Sequence, residues 1–418
     1  MEKPSAEKID ISPKNNEVPP PDCGYGWFVV LSSFLIHFVT LGISYTFGVY
    51  QQFYYNDLFQ QKVKMSTLSL IGTFATSFMT IFGICTGHLA DRYGYRVISF
   101  IGCFFIGGGL VAASFATQPW HLYVTQGLIY GIGASLCFCP AVSLPSQWFV
   151  KYRGLATGIA VAGAGVGGLS LSPITRKLID VVGFRWTLRI IGICAFVILS
   201  IASTLLKTRL KSPPRGALID LSLFKQRYFQ LLFSGAFILS IGYMIPFFHV
   251  SNYAVFNGMS ASQGALITGF INGASAVGRV VLGLVADKLG RINAIALCVL
   301  LDSIIILVFW PFASTFSSVF AFSILYGFFG GGYISMLPVV SAELFGIEKI
   351  ATTIGLVYAS TGFGYLIGIP VGGVIVDYSR PRNTYVPVML YAGIAMLIGG
   401  LVFLALRLVR NRTLWART

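Results

Sequence analysis

Hydrophobic stretches about twenty residues long determine what this chain of 418 residues can fold into. Of its residues, 56% are hydrophobic and 10% are charged, whereas a soluble domain carries roughly 25% charged residues. A helix crosses a bilayer core with about 20 apolar residues, and no stretch shows the alternation typical of membrane β-strands. The sequence therefore predicts an all-α integral membrane protein with twelve transmembrane helices, near residues 27–50, 66–86, 96–116, 121–145, 154–174, 186–206, 227–250, 261–284, 292–312, 316–341, 351–375 and 385–407.

A long internal repeat divides these spans into two sets. The block from Gly87 to Arg96 returns from Gly283 to Arg291, and the offset of 196 residues is also that between Tyr130 and Tyr326. A duplicated hydrophobic unit is typical of membrane carriers. Six spans per repeat predict two pseudo-symmetric six-helix bundles in the same orientation. The predicted divisions are a disordered cytosolic tail (1–26), an N-terminal bundle (27–206), a cytosolic linker (207–226), a C-terminal bundle (227–407) and a second cytosolic tail (408–418).

The net charge of +15 is distributed unevenly across the predicted membrane. With the N-terminus in the cytosol, twenty Lys and Arg residues lie on the cytosolic side and eight on the other. Basic residues concentrate on the cytosolic side of membrane proteins. The pattern therefore predicts that both termini are cytosolic, and it indicates membrane topology rather than a nucleic-acid partner.

Two motifs resemble enzyme or metal sites, but their context in the sequence argues against both. The stretch from Gly163 to Gly168 matches a dinucleotide fingerprint, but it lies inside an apolar helix without a preceding strand. Cys137 and Cys139 are interpreted as small apolar side chains rather than a metal pair. We expect no enzyme activity, no cofactor and no metal.

The repeated Gly-x-Leu/Val-Ala-Asp-Arg/Lys-x-Gly block resembles the signature loop of the major facilitator superfamily. That resemblance implies a carrier that works by alternating access, in which this loop is a latch that holds one conformation and releases for the other. The matching residues are Gly87, Asp91, Arg92, Gly94 and Arg96 in the first copy, and Gly283, Asp287, Lys288 and Arg291 in the second.

Two further motifs resemble those of the monocarboxylate transporter family, in the style of its fungal or microbial members. The first includes Asp22, Gly24, Gly26 and Trp27, and the second, which runs from Trp148 to Gly163, includes Lys151, Arg153 and Gly158. The resemblance implies a small organic solute, a monocarboxylate or related organic anion, with proton coupling left open. Val49 and Ser275 stand where animal members carry a Lys and an Asp for proton and carboxylate handling. That departure argues against simple lactate–proton symport.

Arg279 is the only Lys or Arg assigned to the interior of a span, since those at span ends, such as Arg189, are assigned to the two membrane surfaces. An intramembrane Arg is costly and indicates function, and its planar fork can bind a carboxylate. The alternative is that Arg279 supports the adjacent latch. Asp302, deep in the ninth span, is expected to make a structural hydrogen bond or to pair locally. His37 and His249 are candidate proton carriers.

The resemblance also implies that helices 1, 4, 7 and 10 line a cavity, and here these helices are rich in aromatic residues. Aromatic walls favour a solute with an apolar or flat body. The candidate substrate-binding residues are Arg279, Tyr45, His37, Tyr243, Asn272 and Tyr333. A ring-containing vitamin such as riboflavin remains an alternative cargo. A nutrient sensor on the same fold is the contrasting hypothesis, which the short tails disfavour. We expect the plasma membrane, with a vacuolar or other internal membrane as the alternative.

Overall fold

The computed structural model describes residues 22, 24–60, 62–209, 222–346, 350–379 and 384–411. Most of the predicted tail at 1–26, the middle of the linker at 207–226 and the end of the tail at 408–418 lie outside the described residues.

Every regular element of the described residues is helical. The α-helices are α1 (Gly26–Tyr45), α2 (Phe47–Phe53), α3 (Met65–Ile81), α4 (Gly83–Tyr93), α5 (Tyr95–Ala113), α6 (Pro119–Leu122), α7 (Tyr130–Trp148), α8 (Arg153–Leu205), α9 (Arg227–Tyr243), α10 (Ile245–Phe256), α11 (Ala261–Leu289), α12 (Arg291–Ile304), α13 (Phe316–Phe345), α14 (Ile350–Ser379) and α15 (Val386–Arg410). Turns of other pitch occupy Tyr54–Leu58, Tyr123–Ile129, Leu223–Lys225, Ile305–Phe309 and Trp310–Phe312.

The described helices account for the predicted number of membrane spans. Ten segments are long and apolar enough to cross a bilayer, and α3 with α4 forms an eleventh that bends by 43°. One of the ten, α8, has 53 residues, about 80 Å of helix, which is more than twice the thickness of a bilayer core. Its backbone breaks at Gly183, where φ is 78°, a value that glycine adopts readily. Because α8 therefore holds two spans, the twelve-helix all-α prediction is confirmed.

The sequence repeat builds the same turn twice. Gly94 separates α4 from α5 with φ of 93°, and Gly290 separates α11 from α12 with φ of 97°. A positive φ costs glycine little and other residues more, so the repeated glycine lets the chain reverse tightly at both places. We call the membrane face that holds these two turns, at which α1 begins and α15 ends, the terminal face.

The two halves meet most closely where α8 packs against α11. A Cβ atom on Gly154 would lie 2.4 Å from the carbonyl oxygen of Gly283, and one on Gly158 would lie 2.2 Å from that of Arg279. Only glycine fits where two backbones approach so closely. Helices in a membrane are not driven together by the hydrophobic effect, and small residues stabilise their association by allowing this close packing. On the other side of the molecule, α14 packs against α3 and α4.

Candidate solute-binding site

A cavity lies between the two halves, at the end of α11 opposite the terminal face. The space in it that the centres of water molecules can occupy is about 120 Å³. Aromatic faces, amides and hydroxyl groups form its wall, and no charged side chain of the described residues lines it. The lining residues are Ser44, Tyr45, Phe47, Gly48, Val49, Gln51, Gln52, Thr76, Ser172, Met244, Phe247, Phe248, Ser251, Asn252, Thr268, Gly269 and Asn272.

Two stacked rings, one from each half, form the floor of this cavity. Tyr45 at the end of α1 and Phe247 in α10 lie with ring centroids 5.8 Å apart and planes inclined by 12°. We call this pair the aromatic bridge. The Tyr45 hydroxyl lies below it and accepts a hydrogen bond of 3.2 Å from the Arg279 guanidinium. The bridge therefore separates the cavity from Arg279.

Arg279 is fully buried in the middle of α11. One terminal nitrogen donates to the carbonyl oxygen of Val161 at 2.7 Å, and Nε has no partner among the described residues. Among the described residues, the phenols of Tyr45, Tyr243 and Tyr358 act on it electrostatically, and no carboxylate pairs with it. A buried guanidinium without a counter-charge is costly, and an anionic group placed beside it would offset that cost.

The other predicted substrate residues divide between the cavity and the layer beneath the bridge. Asn272 lines the cavity, and its Oδ1 is buried without a partner among the described residues. Tyr243 and Tyr333 are fully buried below Phe247, with their ring centroids 5.3 Å apart. Neither lines the cavity in this conformation.

His37 also lies in the buried layer rather than in the cavity. Its Nδ1 is 2.6 Å from the Ser33 carbonyl oxygen, its Nε2 has no partner among the described residues, and its ring meets Phe138 edge-on. Because an imidazole Nδ1 beside a carbonyl must donate, Nε2 is left as an acceptor in neutral His37. The charge of Arg279 acts on this ring, so the two side chains belong to one buried polar layer.

Sequence reasoning missed several polar residues of the cavity. Gln51 and Gln52 lie beyond the predicted end of the first span, but the helical path continues through α2 to Phe53 and brings them into the wall. Asn252 had no signal, since one polar residue in an apolar helix does not reveal which side it faces. For Thr268, the only available indication was its spacing of four residues from Asn272, which places both on one helix face.

The second copy of the latch ties the two halves together at the terminal face. The Asp287 carboxylate accepts hydrogen bonds from the backbone N–H groups of Gly154 at 2.9 Å and Leu155 at 3.0 Å, at the first turn of α8. A carboxylate at a helix N-terminus satisfies free N–H groups and interacts favourably with the helix dipole. Arg291 pairs with Asp287 at 3.2 Å and donates to the carbonyl oxygen of Val150 at 2.9 Å.

Further residues extend this contact. Glu343 lies 3.7 Å from Arg291 and 3.2 Å from Arg410, so α12, α13 and α15 are joined by ion pairs. Gly283 packs on Gly154, and Lys288 is exposed.

The first latch copy has different contacts. Asp91 accepts a hydrogen bond of 3.1 Å from the Tyr95 hydroxyl, and the Arg96 side chain donates to the carbonyl oxygen of Leu206. Arg92 is exposed and lies over the neighbouring Tyr93 ring, and Gly87 is buried in α4. These residues therefore lie where the repeat predicts, at the turn between α4 and α5.

The two further motifs of the sequence meet each other at the terminal face. Asp22 accepts hydrogen bonds of 3.0 to 3.2 Å from the backbone N–H groups of Val150, Lys151 and Tyr152. Trp27 meets Phe149 edge-on at 4.9 Å. The segment before α1 is thereby held against the loop between α7 and α8.

The remaining motif residues occupy the same region. Gly26 packs against the Phe149 ring and Gly24 has φ of 58°. Buried Arg153 donates to the carbonyl oxygen of Phe149 at 3.0 Å, and exposed Lys151 lies over the Tyr152 ring. In the part of the chain that the structure describes, no group of three or more His, Cys, Asp or Glu residues is arranged to hold a metal.

Comparisons with known proteins agree with this architecture. A family model described as Major Facilitator Superfamily matches residues 26–318 and 294–418. The MFS transporter asaE of Aspergillus flavus is 31% identical over 408 residues, which cover 96% of this chain and 91% of that protein. The aspyridones efflux protein apdF of Emericella nidulans is 31% identical over 408 residues, which cover 96% and 82%.

A solved structure shares the fold at low sequence identity. The human organic anion transporter MFSD10 (TETRAN) aligns with a TM-score of 0.67 and 13% identity, covering 93% of this chain and 99% of that one. The chain therefore belongs to the Major Facilitator Superfamily and is a multi-pass integral membrane transporter of a small solute, not an enzyme.

Proposed function

We propose that this transporter carries a ring-containing organic anion, with Arg279 as the anchor for the anionic group. The observation that carries the proposal is the fully buried guanidinium, which has no carboxylate partner among the described residues and lies directly below an aromatic bridge at the floor of the cavity. Monocarboxylates fall within the class of anions that this guanidinium would recognise. A hydrogen bond to a charged group contributes about 1.5–3 kcal/mol, so Arg279 would dominate selectivity for charge.

The chemistry of the cavity wall supports a solute that carries a ring. Tyr45, Phe247 and Phe248 offer ring faces, and the amides of Gln51 and Asn272 offer donors and acceptors. A flat body bearing oxygen substituents would therefore be complementary to the wall while its anionic group reaches the floor.

Alternating access would use the two halves as units. We propose that the bundles at 27–206 and 227–407 rock about the solute, and that release of Asp287 from the first turn of α8 opens the terminal face. The relative apdF is named for efflux, and by analogy we propose export across the plasma membrane with both termini in the cytosol. The motifs at Asp22 and Arg153 support membership of the monocarboxylate transporter-like branch.

A neutral ring-containing nutrient is the second candidate cargo. The uncharged cavity wall favours it, because no side chain in the open part of the site requires a charged ligand. In this alternative Tyr45 keeps its hydrogen bond with Arg279, and the ring of the solute lies on the aromatic bridge.

Uptake by liposomes containing the purified protein tests the proposal. The panel is acetate, lactate, 4-toluenesulfonate and riboflavin; the sulfonate stays ionised and so does not cross the lipid as a neutral acid. We expect transport of the sulfonate, and in Arg279→Ala a loss of roughly 10- to 100-fold, which corresponds to about 1.5–3 kcal/mol. Arg279→Lys should recover only part of the loss, since it keeps the charge but not the fork.

Arg176→Gln is the matched control, because Arg176 is exposed and pairs only with its neighbour Asp180 in the described structure. It removes one positive charge without touching the cavity. Sulfonate transport in Arg279→Ala within twofold of the wild type would reject the anchor role. Transport of riboflavin with no anion transport would instead support the second candidate.

A further inference from the structure

One acidic side chain in the C-terminal half takes no part in the site described above. Asp302, in α12, is the only buried acid among the described residues, with 1% of its surface exposed. Its Oδ1 has no hydrogen-bond partner among those residues. The sequence suggested a structural hydrogen bond or a local ion pair, and for this oxygen the structure shows neither.

The surroundings of Asp302 contain no counter-charge. Helix α12 packs against α11, α13 and α15. The titratable groups that interact with Asp302 are the phenols of Tyr243 and Tyr326 and the thiol of Cys298. From α11 and α15, no Lys, Arg or His of the described residues acts on it. Phenols and thiols are ordinarily neutral near pH 7, so nothing here balances an ionised carboxylate.

An unpaired carboxylate in an apolar interior is strongly disfavoured when ionised, and a bound proton removes the charge. Acidic residues inside membrane spans that lack a structural partner mark proton or ion pathways in many transport proteins. The position of Asp302 therefore fits a site that binds a proton in this conformation.

A short series of contacts joins Asp302 to the floor of the cavity. A Cβ atom on Gly330 would lie 2.8 Å from the Asp302 Oδ2 and 3.3 Å from the ring of Tyr243, so the missing side chain lets the two groups approach. The Tyr243 hydroxyl donates to the Gly330 carbonyl oxygen at 3.1 Å. The Tyr243 ring contacts Phe247 at 5.7 Å, and Phe247 is half of the aromatic bridge.

We propose that Asp302 is a proton-binding site that couples a proton gradient to movement of the solute. A solute seated on the aromatic bridge displaces Phe247 and Tyr243, and this displacement changes the wall that seals Asp302 from water. Because linkage is reciprocal, proton binding at Asp302 then alters solute affinity by the same factor. The coupling rests on the proposed function, whereas proton binding does not.

The first test needs no solute. Dicyclohexylcarbodiimide is an apolar reagent, and a protonated carboxylic acid adds across its C=N bond. The adduct rearranges to an N-acylurea, and no group leaves in either step. Peptide mass spectrometry of the liposome-embedded protein should find this adduct on Asp302. Asp302→Asn should lose it, and Asp180→Asn, which changes an exposed carboxylate, should keep it.

The second test separates coupling from transport. With 4-toluenesulfonate as the probe, the accumulation that an imposed pH gradient drives should be at least tenfold lower in Asp302→Asn than in the wild type. Its sulfonate exchange without a gradient should stay within twofold of the wild type, which a folding defect would not allow. Asp302→Glu, which restores an acid, should recover a response to the gradient.

The outcomes distinguish this proposal from the proposed function. A full gradient response in Asp302→Asn overturns the coupling. If the wild type moves no sulfonate, the anion assignment fails and the carbodiimide result decides alone: an adduct on Asp302 supports the proton site, and an unmodified Asp302 overturns it.

Discussion

The two ends of α11 differ in how they join the halves of the transporter. At the terminal face, Asp287 binds two backbone N–H groups of α8, and Gly283 packs directly on Gly154. At the opposite end, Thr268 and Asn272 line an open cavity walled by rings and uncharged polar groups. One end is held by directional, charge-assisted bonds and backbone contact, whereas the other is open above the stacked rings of the aromatic bridge.

This difference indicates which contacts a change of conformation would have to break. Opening the terminal face requires the loss of several hydrogen bonds to charged groups, each worth about 1.5–3 kcal/mol when buried. Closing the cavity requires only that apolar and amide surfaces meet, with a solute between them. Arg279 lies in the C-terminal half between the two ends and donates hydrogen bonds to Tyr45 and Val161 of the N-terminal half, so it joins the two halves.

The largest effect is expected from breaking the glycine contact. Gly158→Val places a side chain where a Cβ would already lie 2.2 Å from the Arg279 carbonyl oxygen. Overpacking costs about 1–3 kcal/mol and here it would also displace Arg279, so we expect transport to fall at least tenfold.

The control for this change is Gly108→Val, because a Cβ on Gly108 would meet no atom within 4 Å. Transport measured in liposomes at equal protein content should be unchanged in that variant. If Gly158→Val transports as well as Gly108→Val, the close approach of α8 to α11 is not required for the cycle.

A smaller effect is expected from weakening the polar end. Asp287→Asn keeps the shape of the side chain but removes the charge that faces the first turn of α8, for an expected cost of about 1–2 kcal/mol. The terminal face should then open more often. Access is measured with a cysteine introduced at Ala276 in a background without the seven native cysteines. With Asp287→Asn, this cysteine should react roughly 5- to 30-fold faster with a water-soluble thiol reagent applied from that face than it does when Asp287 is present.

Asp180→Asn serves as the comparison for this measurement, since Asp180 is exposed at the other end of the first part of α8. Equal reaction rates in the two variants would show that the Asp287 contact does not hold the terminal face closed.

Much of the fold was predictable from the sequence because membrane helices carry their own signal. The length of the apolar stretches gave the number of spans, and the repeat placed matching turns at Gly94 and Gly290. Two errors of boundary have local causes. The helical path beyond residue 50 was not expected to carry Gln51 and Gln52 into the membrane, and Gly183 breaks the backbone within a continuous run of helix rather than in a loop.

The site was predictable only where one residue stands out chemically. Arg279 did so as a lone cation in an apolar stretch, and Tyr45 followed from the aromatic content of the first helix. The sequence did not reveal that these two residues contact each other, or that Asp22 reaches the loop at 150–152, because such contacts depend on tertiary packing over more than a hundred residues. Nor did it show that Asp302 Oδ1 lacks a partner, since that depends on which groups the neighbouring helices place beside it.

The most direct test is a pair of distances measured across the two ends of the molecule by pulsed electron paramagnetic resonance. Spin labels at Lys151 and Lys288 report on the terminal face, and labels at Lys177 and Ser260 report on the cavity end. In liposomes, Asp287→Asn should lengthen the first distance and shorten the second in the same fraction of molecules. If both distances stay unchanged, or if both lengthen together, the terminal face and the cavity end do not open alternately, which contradicts alternating access.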